Sequence, residues 1–116
     1  MKTEFDPAGF AQRQLDAYND RDLARFIAEY TNGVAAYRLP SHEPFVVGKA
    51  AFAEHYRKNR FSLVGLRAEL VNRMVIGNKV IDHERVFGVQ AEPMEVAAIY
   101  EVTPQGISRV WFLGAQ

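Results

Sequence analysis

The spacing of hydrophobic residues changes once along the chain, shortly after Ser62. Before Ser62 the apolar positions recur every three or four residues, which is the period of an α-helix with one buried face. After it they alternate with polar positions, as in β-strands that bury one face. The pattern predicts helices at residues 6–20, 21–30 and 49–61, a short strand at 34–40, and four strands at 65–76, 79–89, 94–102 and 107–114.

Turn signals join these elements in a definite order. Gly33 can take the left-handed conformation that ends a helix, so it is predicted to close the second one. Gly77-Asn78 joins the first two long strands as a tight hairpin, and the segment TPQG at 103–106 joins the last two. Helices followed by antiparallel hairpins predict an α+β domain, with three helices on one face of a curved sheet.

The run DHER at 82–85 lies within a predicted strand, so its side chains divide between the two faces of the sheet. If the hairpin turns at Gly77-Asn78, Ile76 pairs with Lys79 and the two faces follow by parity. One face is mostly apolar and is predicted to meet the helices: Leu66, Ala68, Leu70, Asn72, Met74, Ile76, Ile81, His83, Arg85 and Phe87. The other is charged and is predicted to face outwards: Arg67, Glu69, Val71, Arg73, Val75, Val80, Asp82, Glu84 and Val86.

On this assignment His83 and Arg85 lie beneath the helices and need partners, because a buried unpaired charge costs several kcal/mol. Two interpretations remain open: the pair belongs to a structural network, or it lines a pocket. In a pocket, His83 could act as general acid or base, and Arg85 could hold a carboxylate or another oxygen. Asp82 and Glu84 are expected on the surface.

Composition narrows the function classes. The chain has 116 residues, enough for one domain with a core, and its net charge is zero without a basic run, which argues against nucleic acid and anionic membranes as partners. It contains no cysteine, and His42 and His55 lack partners at metal-ligand spacing, so we expect no metal and no cofactor. Without a segment of signal-peptide or membrane-spanning length, we expect a soluble cytoplasmic protein.

Four segments carry a resemblance to known proteins: LDAYNDRDLARFIAEYTNGVAAY, VGKAAFAEHY, GNKVIDHERVFG and GISRVWF. In their order the chain resembles the nuclear transport factor 2-like superfamily, and more closely its SnoaL-like and ketosteroid-isomerase-like bacterial members. The resemblance covers nearly the whole chain, and it implies a single domain at residues 1–116. It implies a cone-shaped α+β fold, in which three N-terminal helices pack on a strongly curved antiparallel sheet around a deep pocket, usually in a homodimer.

Three positions correspond to the catalytic residues of ketosteroid isomerase. Arg38 falls at or beside the place of its catalytic aspartate, Gln14 at that of its oxyanion tyrosine, and Tyr100 at that of its protonated aspartate. None of the three residue types is retained. The resemblance therefore does not imply steroid isomerisation by that mechanism.

The segments HERVFG and SRVWF also resemble limonene-epoxide hydrolase. Arg85 matches the arginine of its Asp-Arg-Asp arrangement, whereas Phe87 and Val110 stand at the two carboxylate positions. The same resemblance implies that one set of strand residues points into the cavity: Met94, Val96, Ala98, Tyr100, Val110 and Phe112.

Two function classes follow, and the first is a small-molecule-binding protein whose pocket suits an apolar ligand with an oxygen or acidic group. The alternative is a cofactor-independent isomerase, cyclase or hydrolase with His83, Arg85 and Tyr100 as catalytic residues. The ligand-binding candidates for either class are Gln14, Tyr18, Arg38, Asn72, Met94, Val96, Phe87, Val110 and Phe112. A third alternative is a structural dimer module whose cavity is filled by side chains.

The open face of the sheet is predicted to form a homodimer. An outward tryptophan among several valines is typical of a partner surface. The predicted interface residues are Val71, Val75, Val80, Val86, Trp111 and Leu113.

Overall fold

The computed structural model describes residues 5–114, and in them three helices precede and interrupt a set of six strands. The elements are α1 (Pro7–Asn19), α2 (Leu23–Ile27), β1 (Tyr30–Arg38), β2 (Pro44–Val47), α3 (Lys49–Asn59), β3 (Arg67–Ile76), β4 (Lys79–Phe87), β5 (Met94–Thr103) and β6 (Gly106–Gly114). The strands form one curled, open sheet in the order β2-β1-β6-β5-β4-β3. The predicted α+β class, with helices packed on a curved sheet, is confirmed.

The segment after α1 differs from the prediction. The second helix ends at Ile27, and Gly33 lies inside β1 rather than closing a helix. The sequence of residues 30–36 fits both a helix and a strand, because Tyr30 continues the apolar stripe of α2 and also has the same parity as the buried Val34 and Ala36. The segment forms a strand because it pairs with β6 in parallel and with β2 in antiparallel orientation.

The helices cover the concave face of the sheet unequally. α1 packs across β3, β4, β5 and β6, whereas α3 packs on α2, β1 and β2. Between them lies an aromatic core in which Phe26 contacts the rings of Tyr30, Phe52 and Tyr56 at centroid distances of 5.1, 6.1 and 4.9 Å. No helix among residues 5–114 is long and apolar enough to cross a membrane.

Two contacts hold the start of β3 in place. The side chain of Asn19 pairs with the backbone of Ala68, donating to its carbonyl at 3.0 Å and accepting from its N–H at 2.7 Å. Gly88 has φ +92°, and a Cβ there would lie 2.3 Å from the carbonyl oxygen of Gly65, so only glycine fits. The first residues of β3 are thereby fixed against the end of β4, beside the cavity described next.

Candidate functional site

A bulge in β3 reverses the predicted faces of β4. The hairpin has the predicted register, with Ile76 opposite Lys79 and Arg73 opposite Asp82, but the register shifts between Leu70 and Asn72. Val71 is the additional residue, so positions before and after it have opposite parity. The prediction that His83 and Arg85 face the cavity is wrong.

Asp82 and Glu84 are the inward pair of the run. Asp82 is 0% exposed and Glu84 is 8% exposed, and both lie on the same face of β4 as the buried Val80 and Val86. Leu70 pairs with Glu84 and lies on the same inner face, because it precedes the bulge. This placement agrees with its apolar character. A regular ladder would give residues beyond Val71 the same parity as the apolar residues 66–70, and the bulge breaks this regularity.

A cavity opens between α1, the aromatic core and the inner face of β4 to β6. Its lining residues are Gln14, Leu15, Tyr18, Phe26, Tyr30, Tyr56, Ala68, Glu84, Val86, Tyr100 and Phe112. The space that the centre of a water molecule can reach is about 20 Å³, enough for about one water. A larger ligand can enter only if the lining side chains move.

Glu84 is the acid of this cavity. Its Oε2 is buried and has no hydrogen-bond partner among the described residues. The pKa of Glu84 is raised to about 8, chiefly by burial and also by the charge of Asp82, while the charge of Arg73 partly opposes the shift. At pH 7 the carboxyl is therefore mostly protonated and can donate a hydrogen bond.

Asp82 is held by an ion pair beside the cavity. Arg73 Nε donates to Asp82 Oδ1 at 2.7 Å and Arg73 Nη2 donates to Oδ2 at 2.9 Å, which is the bidentate geometry of a strong pair. Arg73 Nη1 also donates to Gln12 Oε1 of α1 at 2.9 Å. The pair fixes a negative charge two residues from Glu84 on the same face of β4.

Three side chains form a second polar network on the cavity wall. Tyr30 donates its hydroxyl hydrogen to Gln14 Oε1 at 3.0 Å, and Gln14 Nε2 donates to the hydroxyl oxygen of Tyr100 at 3.1 Å. Burial raises the pKa of both tyrosines well above the ordinary value, so both stay neutral. Because Tyr100 accepts from Gln14, its own hydrogen is available to another acceptor.

His83 and Arg85 belong to a charged cluster on the outer face of the sheet. His83 Nε2 lies 2.5 Å from Glu95 Oε1, and Arg85 Nε donates to Glu95 Oε2 at 2.7 Å. Arg85 Nη1 also donates to Glu69 at 3.1 Å. The four side chains are between 39% and 55% exposed, so water screens their charges.

The remaining predicted site residues fall into three groups. Gln14, Tyr18, Tyr100 and Phe112 line the cavity. The second group is buried on the inner face of the sheet without lining the cavity, as part of the core: Met94, Val96 and Val110. The third group lies outside it: Asn72 pairs with His83, Phe87 lies under Arg67, and Arg38 is exposed with its guanidinium 3.7 Å from the ring centroid of Phe45.

From the sequence, Glu84 was expected on the surface, and neither Tyr30 nor Tyr56 was among the predicted site residues. One signal for Glu84 was present, since Val80 and Val86 share its parity and need burial as much as Ile81 and Phe87 do. Nothing in the sequence marks the bulge at Val71 that decides between the two faces. Within residues 5–114, no three histidine or acidic side chains cluster as a metal site would require.

The sequence matches the family model of the SnoaL-like domain over residues 11–110. A comparison with curated proteins finds no match. The matched segment contains every polar side chain described above on the cavity wall.

Solved structures share the fold at low sequence identity. A nuclear transport factor 2-like protein of unknown function from Cytophaga hutchinsonii has a TM-score of 0.79 at 11% identity, over 99% of this chain and 95% of that one. A SnoaL-like protein of unknown function from Burkholderia thailandensis has a TM-score of 0.77 at 17% identity, over 95% and 94%. A protein from Kribbella flavida, provisionally named a ketosteroid isomerase, has a TM-score of 0.80 at 16% identity, over 95% and 78%. These likenesses concern the fold alone.

Proposed function

We propose, since this chain belongs to the SnoaL-like domain family, that it binds a small, largely apolar molecule in the cavity and that Glu84 contacts an oxygen of that molecule. One observation carries the proposal: Glu84 Oε2 is buried at the cavity without a hydrogen-bond partner among the described residues. A ligand oxygen would supply the missing partner.

The same observation argues against a purely structural module whose cavity binds no ligand. Burying a carboxyl group without a hydrogen bond costs free energy, and an apolar side chain of similar volume would avoid that cost. Groups with strongly shifted pKa values in a cleft are found preferentially at functional sites. Because the cavity is small, side chains that line it must move for such a molecule to enter.

The proton positions favour a ligand oxygen that accepts hydrogen bonds. Glu84 is mostly protonated at pH 7, because its pKa is about 8. Tyr100 can donate as well, because Gln14 already occupies one acceptor position of its hydroxyl. A carbonyl oxygen matches two such donors, whereas a group that only donates does not.

A matched pair of probes tests this proposal. Cyclohexanone and methylenecyclohexane have similar shapes, and only the ketone carries an acceptor. In titrations followed by ¹H–¹⁵N NMR, we expect the ketone to bind more tightly and to shift the signals of cavity-lining residues. Glu84→Leu should remove the preference, and His83→Leu on the outer face should keep it. Equal affinity of the wild type for both probes, or no shifts from either, would contradict the proposal.

A second candidate function is acid–base catalysis by Glu84, in the class of cofactor-independent isomerases. A pKa near 8 and an oxygen without a hydrogen-bond partner favour it, because such a group can both take and return a proton near neutral pH. The carboxylate would remove a proton from the carbon beside a ligand carbonyl and return it to the same molecule. The catalytic roles predicted for His83 and Arg85 are not retained, since they required the inward placement.

Hydrogen exchange tests this candidate directly. In D₂O, the wild type should replace hydrogen by deuterium beside the carbonyl of cyclohexanone, at a rate that rises with pH and levels off above about 8. Glu84→Gln should lower the rate by about 10²-fold or more. An unchanged rate in this variant would exclude Glu84 as the base while leaving the binding proposal intact.

We also propose a homodimer through the outer face of the sheet. Paired residues of five strands form an apolar row across this face: Met74, Ile81, Ile99, Trp111 and Tyr37. Val75, Val80 and Val86 were predicted for this face, but they share the inner parity, and Val80 and Val86 are in the core. Sedimentation should give a dimer at micromolar concentration and a monomer for Trp111→Arg; a monomeric wild type would contradict the proposal.

A further inference from the structure

The walls of the cavity are closed to solvent, so part of them must move before a ligand can enter. The residues that line it are each at most 8% exposed, and all of them lie on helices or paired strands. Ladders of backbone hydrogen bonds hold such elements, whereas the irregular segments between them open at lower cost. The route into the cavity should therefore lead past an irregular segment.

The α3–β3 segment, residues 60–66, covers the aromatic part of the cavity wall. It joins α3 to β3 and forms neither helix nor strand. The ring centroid of its Phe61 lies 5.6 Å from that of Tyr18, 5.2 Å from that of Phe26 and 6.5 Å from that of Tyr56. These three rings line the cavity, and Phe61 is only half-buried. Phe61 therefore stands between the lining rings and water.

The two ends of the α3–β3 segment are fixed by hydrogen bonds. At the first end, the N–H of Phe61 donates to the carbonyl oxygen of Tyr56 on α3 at 2.8 Å. Just beyond the second end, the side chain of Asn19 pairs with the backbone of Ala68 on β3. The segment can therefore move only in its middle, between these two fixed points.

One side chain from the turn between α1 and α2 holds this middle part. Arg21 Nη1 donates to the carbonyl oxygen of Leu63 at 3.3 Å and also to the carbonyl oxygen of Val64. Arg21 is exposed, so water can replace these two carbonyl groups as the partner of its guanidinium. The contact can therefore break and form again without unfolding the elements on either side.

The backbone of Arg21 has a conformation that glycine adopts more easily. Its φ is +52°, in the left-handed region. The N–H of Arg21 donates to the carbonyl oxygen of Tyr18 at 3.0 Å, and the N–H of Asp22 donates to that of Ala17 at 2.9 Å. This is the pattern of a helix end at which glycine is the usual residue. An arginine there accepts a conformational cost, and its side chain supplies the contact with the α3–β3 segment. Strained positions of this kind are concentrated at ligand clamps and switch regions.

We propose that the α3–β3 segment is the gate of the cavity and that Arg21 is the side chain that keeps it closed. When Arg21 releases the carbonyl groups of Leu63 and Val64, the segment moves outwards and Phe61 leaves the rings of the cavity wall. The lining rings then have room to move, and a ligand passes between them. This inference rests on the proposed function for its ligand, whereas the opening itself can be measured without one.

The opening can be measured by the reaction of a single thiol, because the chain contains no cysteine. Ala68→Cys places a thiol on the cavity wall, and its rate of reaction with iodoacetamide reports how often the cavity opens. In this background we expect Arg21→Gly to raise the rate by about tenfold, because the hydrogen bonds to the segment are lost. Glycine also fits the positive φ, so the variant should fold.

Three control variants separate the gate from other effects. Arg21→Asn tolerates positive φ without the freedom of glycine, and it should raise the rate as Arg21→Gly does. Arg25→Ala removes an exposed arginine of α2 that pairs with Asp20 at 2.9 Å, and it should leave the rate unchanged. Val34→Cys reports unfolding of the core, since Val34 is 0% exposed in β1. The reaction of its thiol should not respond to Arg21→Gly.

The kinetics of cyclohexanone binding, measured from NMR line shapes, connect the gate to the ligand. Arg21→Gly should raise the association and dissociation rates by a similar factor of about ten, and so leave the affinity nearly unchanged, because a gate changes the barrier to entry. Unchanged rates would overturn the gate as the route of the ligand.

The outcomes separate the two proposals. An unchanged thiol reaction of Ala68→Cys in both Arg21 variants would overturn the gate. An equal acceleration at Val34→Cys would also overturn it, since the whole core would then be loosened. If the thiol reaction of Ala68→Cys accelerates as expected but cyclohexanone shifts no cavity-lining residue of the wild type, the gate stands and the proposed function fails.

Discussion

The two faces of β4 carry ionisable side chains in opposite surroundings. On the inner face, Asp82 is buried in a bidentate pair with Arg73, and Glu84 meets the cavity with one oxygen left without a hydrogen-bond partner among the described residues. On the outer face, His83 and Arg85 share Glu95 in contact with water. Burial therefore gives the inner charges large effects on stability and pKa, while water weakens those of the outer charges.

The largest effect is expected from breaking the buried pair. Asp82→Ala leaves Arg73 beneath α1 without its carboxylate, and an uncompensated charge of this kind costs about 3–5 kcal/mol of unfolding free energy. Urea unfolding measures the loss. Arg85→Ala is the counterpart on the outer face and should change the urea midpoint far less. Equal losses of unfolding free energy in the two variants would contradict the difference between the faces.

The next effect concerns Glu84 and depends on pH. Its pKa in the folded protein is raised to about 8, so the folded state holds a proton that the unfolded state releases above about 4.5. Stability should therefore fall as pH rises from about 4.5 to 8 and then level off, by an amount on the order of a few kcal/mol. In urea unfolding at a series of pH values, Glu84→Gln should remove most of this decline. An unchanged decline would show that Glu84 is not its source.

Glu95 should give a smaller pH dependence of opposite sign. Hydrogen bonds from His83 and Arg85 hold the pKa of Glu95 below its ordinary value. Its contribution to stability is therefore present above about pH 4.5 and lost as pH falls through the lower, folded-state pKa. Glu95→Gln should lower stability slightly at pH 7 and leave it unchanged in acid. A loss that grows towards acid pH would contradict the sign.

The fold could be predicted from the sequence, but the face of β4 that meets the cavity could not. Alternation after Ser62, the turn at Gly77-Asn78 and the resemblance to a known superfamily predicted the helix-on-sheet architecture and the pairing of Ile76 with Lys79. These features depend on local period and turn chemistry, which neighbouring residues determine. Tyr30 shows the limit, because its position satisfies both a helix and a strand until β6 pairs with it.

The wrong facing predicted for the side chains of β4 has a single physical cause. A bulge changes the facing of every residue beyond it, and its presence depends on how β3 fits against both β4 and α1. Leu66, Ala68 and Leu70 were assigned correctly to the helix side, and the assignment then crossed Val71 unchanged. Gln14, Tyr18, Tyr100 and Phe112 line the cavity, and they lie on α1, β5 and β6, away from the bulge.

The proposed function depends on the protonation state of Glu84, and the titration of its carboxyl group can be observed directly. With ¹³C-labelled glutamate, the Glu84 carboxyl signal is assigned by its absence in Glu84→Gln and followed from pH 3 to 10. We expect a midpoint near 8 in the free wild type, and a lower midpoint in Asp82→Asn if that variant stays folded. A wild-type midpoint below 5 would mean that Glu84 is ionised at neutral pH, and would contradict its role as the hydrogen-bond donor of the cavity.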